Sequence, residues 1–200
     1  MQRILVTGGK GMLGTAIAER FPRDEAKLLL LDLPEFDVTE PEAVGDRIGT
    51  SRPDLVIHCA AMTDVDGCET NPDAAFRVNS LGTENVAAGC AAAGCPLVHI
   101  STDFVFDGRK TTPYTEDDAP APISVYGSSK LRAEEAVRRR LPRHFIVRTA
   151  WSFAPWGRNF VRTILRLARE RGELRVVDDQ VGSPTYTPDL ADGLWRLRRS

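Results

Sequence analysis

Six short apolar runs, each closed by a polar or small residue, alternate along this chain with stretches of helical spacing. The runs are RILVTG, KLLLLD, DLVIHCAA, PLVHI, HFIVRT and LRVV. Each has the length of a strand buried on both faces and is too short for a helix of ordinary length. The intervals read differently. MLGTAIAERF sets Leu13, Ile17 and Phe21 on one helical face with Ala16 beside them. PEAVGDRIG forms a short helix with Pro41 near its start. The alanine-rich stretch from Pro72 to Ala93 suits a helix packed closely on a sheet, and Tyr126 to Arg140 a helix that ends before Pro142. In NFVRTILRLARERG, Phe160, Ile164, Leu167 and Ala168 share a face, with Gly172 placed as the C-terminal cap. Pro188 to Arg198 makes a last helix. Strands alternating with helices predict a parallel sheet covered on both faces, with ligands bound beyond its C-terminal strand ends.

The first of those strand ends carries the most informative loop. TGGKGMLG follows a strand and opens a helix, with Gly8, Gly11 and Gly14 in a GxxGxxG pattern. Glycines let the backbone approach a pyrophosphate, and the helix N-terminus offers it free N–H groups and positive dipole character. In this strand–loop–helix setting the pattern predicts a Rossmann-type dinucleotide site, with Met12 and Leu13 in the same turn. The choice of dinucleotide stays open. Asp32 ends the second strand, where a carboxylate favours the free 2′-hydroxyl of NAD(H). Lys10 pulls the other way, because a cation there pairs with the 2′-phosphate of NADP(H).

Two further features carry chemistry. YGSSK sets Tyr126 and Lys130 four residues apart, on one face of a helix. A tyrosine is a poor acid–base at neutral pH, and a nearby ammonium is expected to lower its pKa. Such a pair passes a proton to or from an oxygen while a hydride moves at the adjacent carbon. STDFVFDG begins where the fourth strand stops, placing Thr102 and Asp103 at a ligand-binding strand end.

The totals exclude several classes. With 42% hydrophobic residues the 200-residue chain buries a proper core, and its net charge of −2 asks for no nucleic-acid or membrane partner. No apolar run approaches the roughly 18 residues of a membrane span. MQRILVTGG reaches glycine too soon for a signal peptide. Cys59, Cys68, Cys90 and Cys95 form no CxxC and read as reduced, mostly buried thiols of a cytoplasmic protein. His58 and His99 lie in strands, where packing is their expected role. RRRLPRH reads as a solvated helix end, and Gln180 as a loop organiser.

Taken together, TGGKGMLG, AAMTDVDGCE, HISTDFVFDG, PYTEDDAPAPISVYGSSK, RTAWSF, NFV and VVDDQVGSPTYTPDLA resemble the dTDP-4-dehydrorhamnose reductase family of extended short-chain dehydrogenases/reductases. The resemblance implies a catalytic set of Thr102, Tyr126 and Lys130, with Lys130 also holding the nicotinamide ribose. It implies substrate contacts from Asp103, Phe104 and Trp151; Phe104 replaces the tyrosine usual there and loses its hydroxyl. It implies cofactor contacts from Ala60, Ala61 and Thr63, and from Asp37 and Val38 beside the adenine. Ala16 and Pro188 stand where acids hold a dimer-bridging magnesium in some relatives, so no metal is expected. A nucleotide-sugar substrate is implied, and a homodimer is left open. Relatives continue for about another half-domain, so residues 1–200 correspond to the cofactor domain with most of the substrate subdomain absent. The resemblance extends to a second class, the regulatory β-subunit of methionine adenosyltransferase, which binds a partner enzyme; a cofactor-binding remnant is a third reading. An adaptor has no chemical need of the intact Thr102–Tyr126–Lys130 set.

Overall fold

A computed structural model describes residues 1–198. Five of the six expected strands form one parallel sheet: β1 (Gln2–Thr7), β2 (Ala26–Leu31), β3 (Leu55–His58), β4 (Leu97–Thr102) and β5 (His144–Thr149), in the order β2-β1-β3-β4-β5. The chain winds outward from β1 to β2, then crosses back to β3 on the other side of β1. That reversal opens a crevice between the C-terminal ends of β1 and β3, the position where open α/β sheets bind ligands.

Alternation along the buried strands builds two cores. Ile4, Val6, Leu55, Ile57 and Val98 face α1 (Met12–Arg20) and α8 (Thr187–Leu197), through Ala16, Ile17, Phe21, Ala191 and Leu194. Leu5, Val56 and Leu97 face the other way. They pack under α2 (Pro41–Ser51), α5 (Gly82–Ala93) and α6 (Val125–Arg140), with Val44, Ile48, Val86, Cys90 and Val137. All four cysteines are free thiols; Cys68, Cys90 and Cys95 are buried and Cys59 is half-buried. Among the described residues no helix is long and apolar enough to cross a membrane.

Three sequence expectations need correction. The helix expected over 72–93 is broken into α4 (Pro72–Ala75), a π-helical turn (Phe76–Leu81) and α5, and it is preceded by α3 (Val65–Thr70). The wide turn carries buried Asn79, whose Oδ1 accepts from Met62 N at 2.7 Å and whose Nδ2 donates to Met62 O and to Ser129 Oγ. LRVV is not a strand: residues 174–177 are irregular, with Val176 and Val177 exposed, so β5 is the edge of the sheet. A separate parallel pair joins β6 (Ser152–Phe153) to β7 (Thr185–Tyr186). Gly172 is not the cap of α7 (Phe160–Glu170); that helix ends through Arg171 in an extended conformation. Its start is set by Asn159, whose Oδ1 accepts from Arg162 N.

Candidate active site

A cleft of about 530 Å³ opens at the β1/β3 crevice. Gly8, Gly11, Met12, Leu13 and Gly14 line its floor, and Asp32, Asp37 and Val38 line one end. Ala60, Ala61 and Thr63 border it after β3, and Tyr126 and Lys130 reach it from α6. Gly8 turns the chain with φ +69°, and a Cβ there would lie 2.7 Å from Ala60 N, so only glycine brings these two strand ends so close. The first N–H groups of α1 have no intrahelical acceptor and suit an anion at this floor.

One expected contact is placed differently. Lys10 is not among the lining residues. Its Nζ donates to Leu33 O and to Glu35 Oε2, both at 2.9 Å, while its backbone N–H donates to Asp32 Oδ2 at 2.7 Å. Asp32 accepts a second N–H, from Leu33.

The chemical groups meet where β4 ends. Ser124 caps α6 by accepting from Gly127 N, and Glu69 Oε1 accepts from Val125 N. Gly127 lets α6 seat directly on the turn Asp103–Val105, because a Cβ would overlap the carbonyl oxygen of Phe104. The Phe104 ring meets Tyr126 edge-on at 5.5 Å. Thr102 Oγ1 donates to Asp103 Oδ1 at 3.1 Å and accepts from Phe104 N.

Burial dominates the electrostatics here. It pushes Tyr126 up to about 12. In this arrangement burial outweighs whatever lowers Tyr126. The Lys130 ammonium is drawn to β4, donating to Ile100 O at 2.7 Å and lying 3.4 Å from His99 Nε2. Tyr126 is therefore held protonated, as a proton donor must be. Lys130 is itself pushed down to about 8 by burial, against Glu134 and Cys59. Burial raises the Asp103 carboxyl above its ordinary value.

His58 and His99 do more than pack. Their rings stack at 5.4 Å beneath the cleft; His58 Nδ1 contacts Thr7 Oγ1 at 2.6 Å and Nε2 contacts Thr83 Oγ1 at 3.0 Å. Burial lowers His58 to about 3, so the ring stays neutral.

Several supporting residues were not expected from the sequence. Glu134 is fully buried, accepting from Ser101 Oγ at 2.6 Å and from Nε and Nη2 of Arg148 at 2.9 and 2.7 Å. Burial raises this carboxyl, but Arg148, Ser101 and Arg138 outweigh it and leave it below its ordinary range. The cluster bolts α6, and with it Tyr126 and Lys130, to β4 and β5. Leu33, Phe36, Arg77 and Thr187 also line the cleft. Of the expected substrate residues, Asp103, Phe104 and Trp151 lie outside the dinucleotide cleft, with Phe104 and Trp151 partly exposed. Trp151 has φ +46°, and its ring covers Gly182. Gln180 is exposed in an irregular segment. Ala16 and Pro188 are buried, and among the described residues no cluster of three or more metal-ligating side chains occurs.

A parallel sheet with a glycine-loop cleft at its switch point and a Tyr–Lys pair at one wall defines a Rossmann-fold, short-chain dehydrogenase/reductase type of protein. Comparison with known proteins narrows this. The model of the RmlD substrate binding domain matches residues 1–200, and the chain belongs to this dTDP-4-dehydrorhamnose reductase family. It is 42% identical over 197 residues to a dTDP-4-dehydrorhamnose reductase of Sinorhizobium fredii, covering 98% of this chain and 66% of the relative. It is 43% identical to the enzyme of that name from Mycobacterium tuberculosis, with 98% and 66% covered. The crystal structure of the Bacillus anthracis reductase in complex with NADP superimposes with a TM-score of 0.96 at 40% identity, covering 100% of this chain and 71% of that one. The chain thus spans about two thirds of the length of the curated relatives it matches.

Proposed function

We propose that this chain reduces the 4-keto group of dTDP-4-dehydro-6-deoxy-L-mannose, using NADPH or NADH, and that residues 1–200 are the cofactor domain carrying the catalytic set. The observation that supports it best is Tyr126 and Lys130 lining the β1/β3 cleft from α6, with Thr102 next to them at the end of β4. The dinucleotide part is supported by the glycine floor and by the NADP complex of the Bacillus anthracis relative. When bound, the nicotinamide supplies a hydride to the carbonyl carbon.

The chain's own groups handle the oxygen. Tyr126, protonated at neutral pH, donates its phenolic proton to the former carbonyl oxygen, which becomes the alcohol. Thr102 turns its hydroxyl from Asp103 to that oxygen and orients it. Lys130 holds the ribose hydroxyls and offers its charge to the phenolate left on Tyr126. Asp103, Phe104 and Trp151 contact the sugar. An adaptor subunit would need none of this proton chemistry.

The test is steady-state kinetics with dTDP-4-keto-6-deoxymannose on this chain and on Tyr126→Phe. We expect a loss of about 10²–10⁴-fold in kcat for the variant, with dinucleotide affinity retained. Equal rates would remove Tyr126 from the mechanism; a wild type that binds cofactor without turnover would leave only a binding role.

A further inference from the structure

Asp32 and Asp37 line the end of the cleft that takes a dinucleotide's second ribose, and Glu35 lies on the segment between them. Lys10 sits beside them, and its ammonium is already in use. The side chain crosses from the glycine loop to the segment after β2, where Leu33 O and Glu35 Oε2 each accept from Nζ at 2.9 Å. Its own backbone N–H binds Asp32, the residue at the ribose position, at 2.7 Å. Lys10 therefore starts from the place where a 2′-phosphate would sit, while its charge is turned outward. The Lys10 and Glu35 side chains are 63% and 70% exposed, so the pair is free to open and exchange partners.

We propose that Glu35 is a specificity-determining residue: it holds Lys10 away from the 2′-phosphate, so NADPH has to displace a carboxylate that NADH leaves undisturbed. This rests on the dinucleotide reading of the cleft. The chemistry is a competition between two anions for one ammonium. A phosphate that captures Lys10 also leaves Glu35 unpaired close to a dianion, so Glu35 acts twice against the same ligand. NADH presents a neutral hydroxyl to Asp32 and requires neither change. The Lys10 ammonium holds the Glu35 carboxyl below its ordinary value, as its pairing requires. Arg77, which also lines the cleft, sits on the π-helical turn beyond β3 and takes no part in this latch.

The experiment is a fluorescence titration of NADPH and of NADH into wild type, Glu35→Gln, Lys10→Met and the double variant. Glu35→Gln is expected to tighten NADPH by about three- to tenfold, and to change NADH by less than about twofold. The NADPH gain should shrink as salt is raised, because both groups are exposed. In the Lys10→Met background the Glu35→Gln gain should fall below about twofold, since no ammonium remains to release. Equal changes for both cofactors, or none, would overturn the inference. A full gain without Lys10 would overturn it too, reducing Glu35 to background charge. Wild-type protein that binds neither cofactor would overturn the dinucleotide reading and this inference with it.

Discussion

The two longest stretches on either side of β5 obey the same sequence rule and end differently. Before β5, helices with an apolar face find a sheet: α1 buries Ala16 and Ile17, and α5 buries Val86, Ala87 and Cys90. After it, α7 has the sharpest apolar stripe of any helix described, yet none of its residues is buried. Phe160 is 67% exposed and Leu165 55%. The strands repeat the contrast. Every residue of β3 is buried, whereas β5 has none that is fully so. Periodicity therefore specifies that a face exists, not that the described residues supply its partner.

Four changes probe this contrast, in falling order of effect. Glu134→Ala should cost about 3–5 kcal/mol, because it strands Arg148 without its buried partner. Urea denaturation measures it, and a loss under about 1 kcal/mol would show that the α6–β5 bolt contributes little. Gly11→Val should weaken dinucleotide binding more than about tenfold, or 1.4 kcal/mol. Its new Cβ meets Gly8 O at 3.2 Å, so the melting temperature should move much less than the binding. A parallel collapse of both would make the loop structural.

The third change is in pH. Folded His58 takes a proton only near pH 3, while the unfolded ring takes it near 6.5. Between those values the unfolded chain binds more protons, so stability falls as pH drops through this window. The slope from this one group approaches about 1.4 kcal/mol per pH unit. Denaturation curves at pH 7 and pH 5 should differ accordingly, and His58→Gln should reduce the difference while leaving the share of His99, which burial also lowers. The smallest effect belongs to α7. Leu165→Ser should alter stability by less than about 0.5 kcal/mol, since an exposed side chain has little burial to lose. A larger loss would mean that the stripe is already covered in solution.

Much of this was legible in the residues. The five strands of the sheet are local apolar runs, and the glycine spacing marks the cleft without reference to anything distant. Tyr126 and Lys130 were visible because a helix repeats every turn. The rest depended on contacts between remote segments. LRVV has strand composition, but a strand needs a neighbour to pair with, and residues 174–177 have none here. The π-helical turn follows from Asn79 reaching Met62 and Ser129, 17 and 50 residues away. Glu134 looked like one more charge on a polar helix until Ser101 and Arg148 closed around it. Helix spacing likewise does not show that β4 offers Lys130 an acceptor, the Ile100 carbonyl, which takes its ammonium at 2.7 Å.

Asn159 does more than start α7. Its Nδ2 also donates to the sulfur of Met12, the first residue of α1, at 3.6 Å, and Trp156 Nε1 donates to Met12 O at 3.2 Å. The opening turns of two helices, 147 residues apart, are thus pinned to one methionine. The joint ties the start of α7 to the first turn of α1. The position of α7 is therefore set from the same residue that lines the glycine-loop cleft.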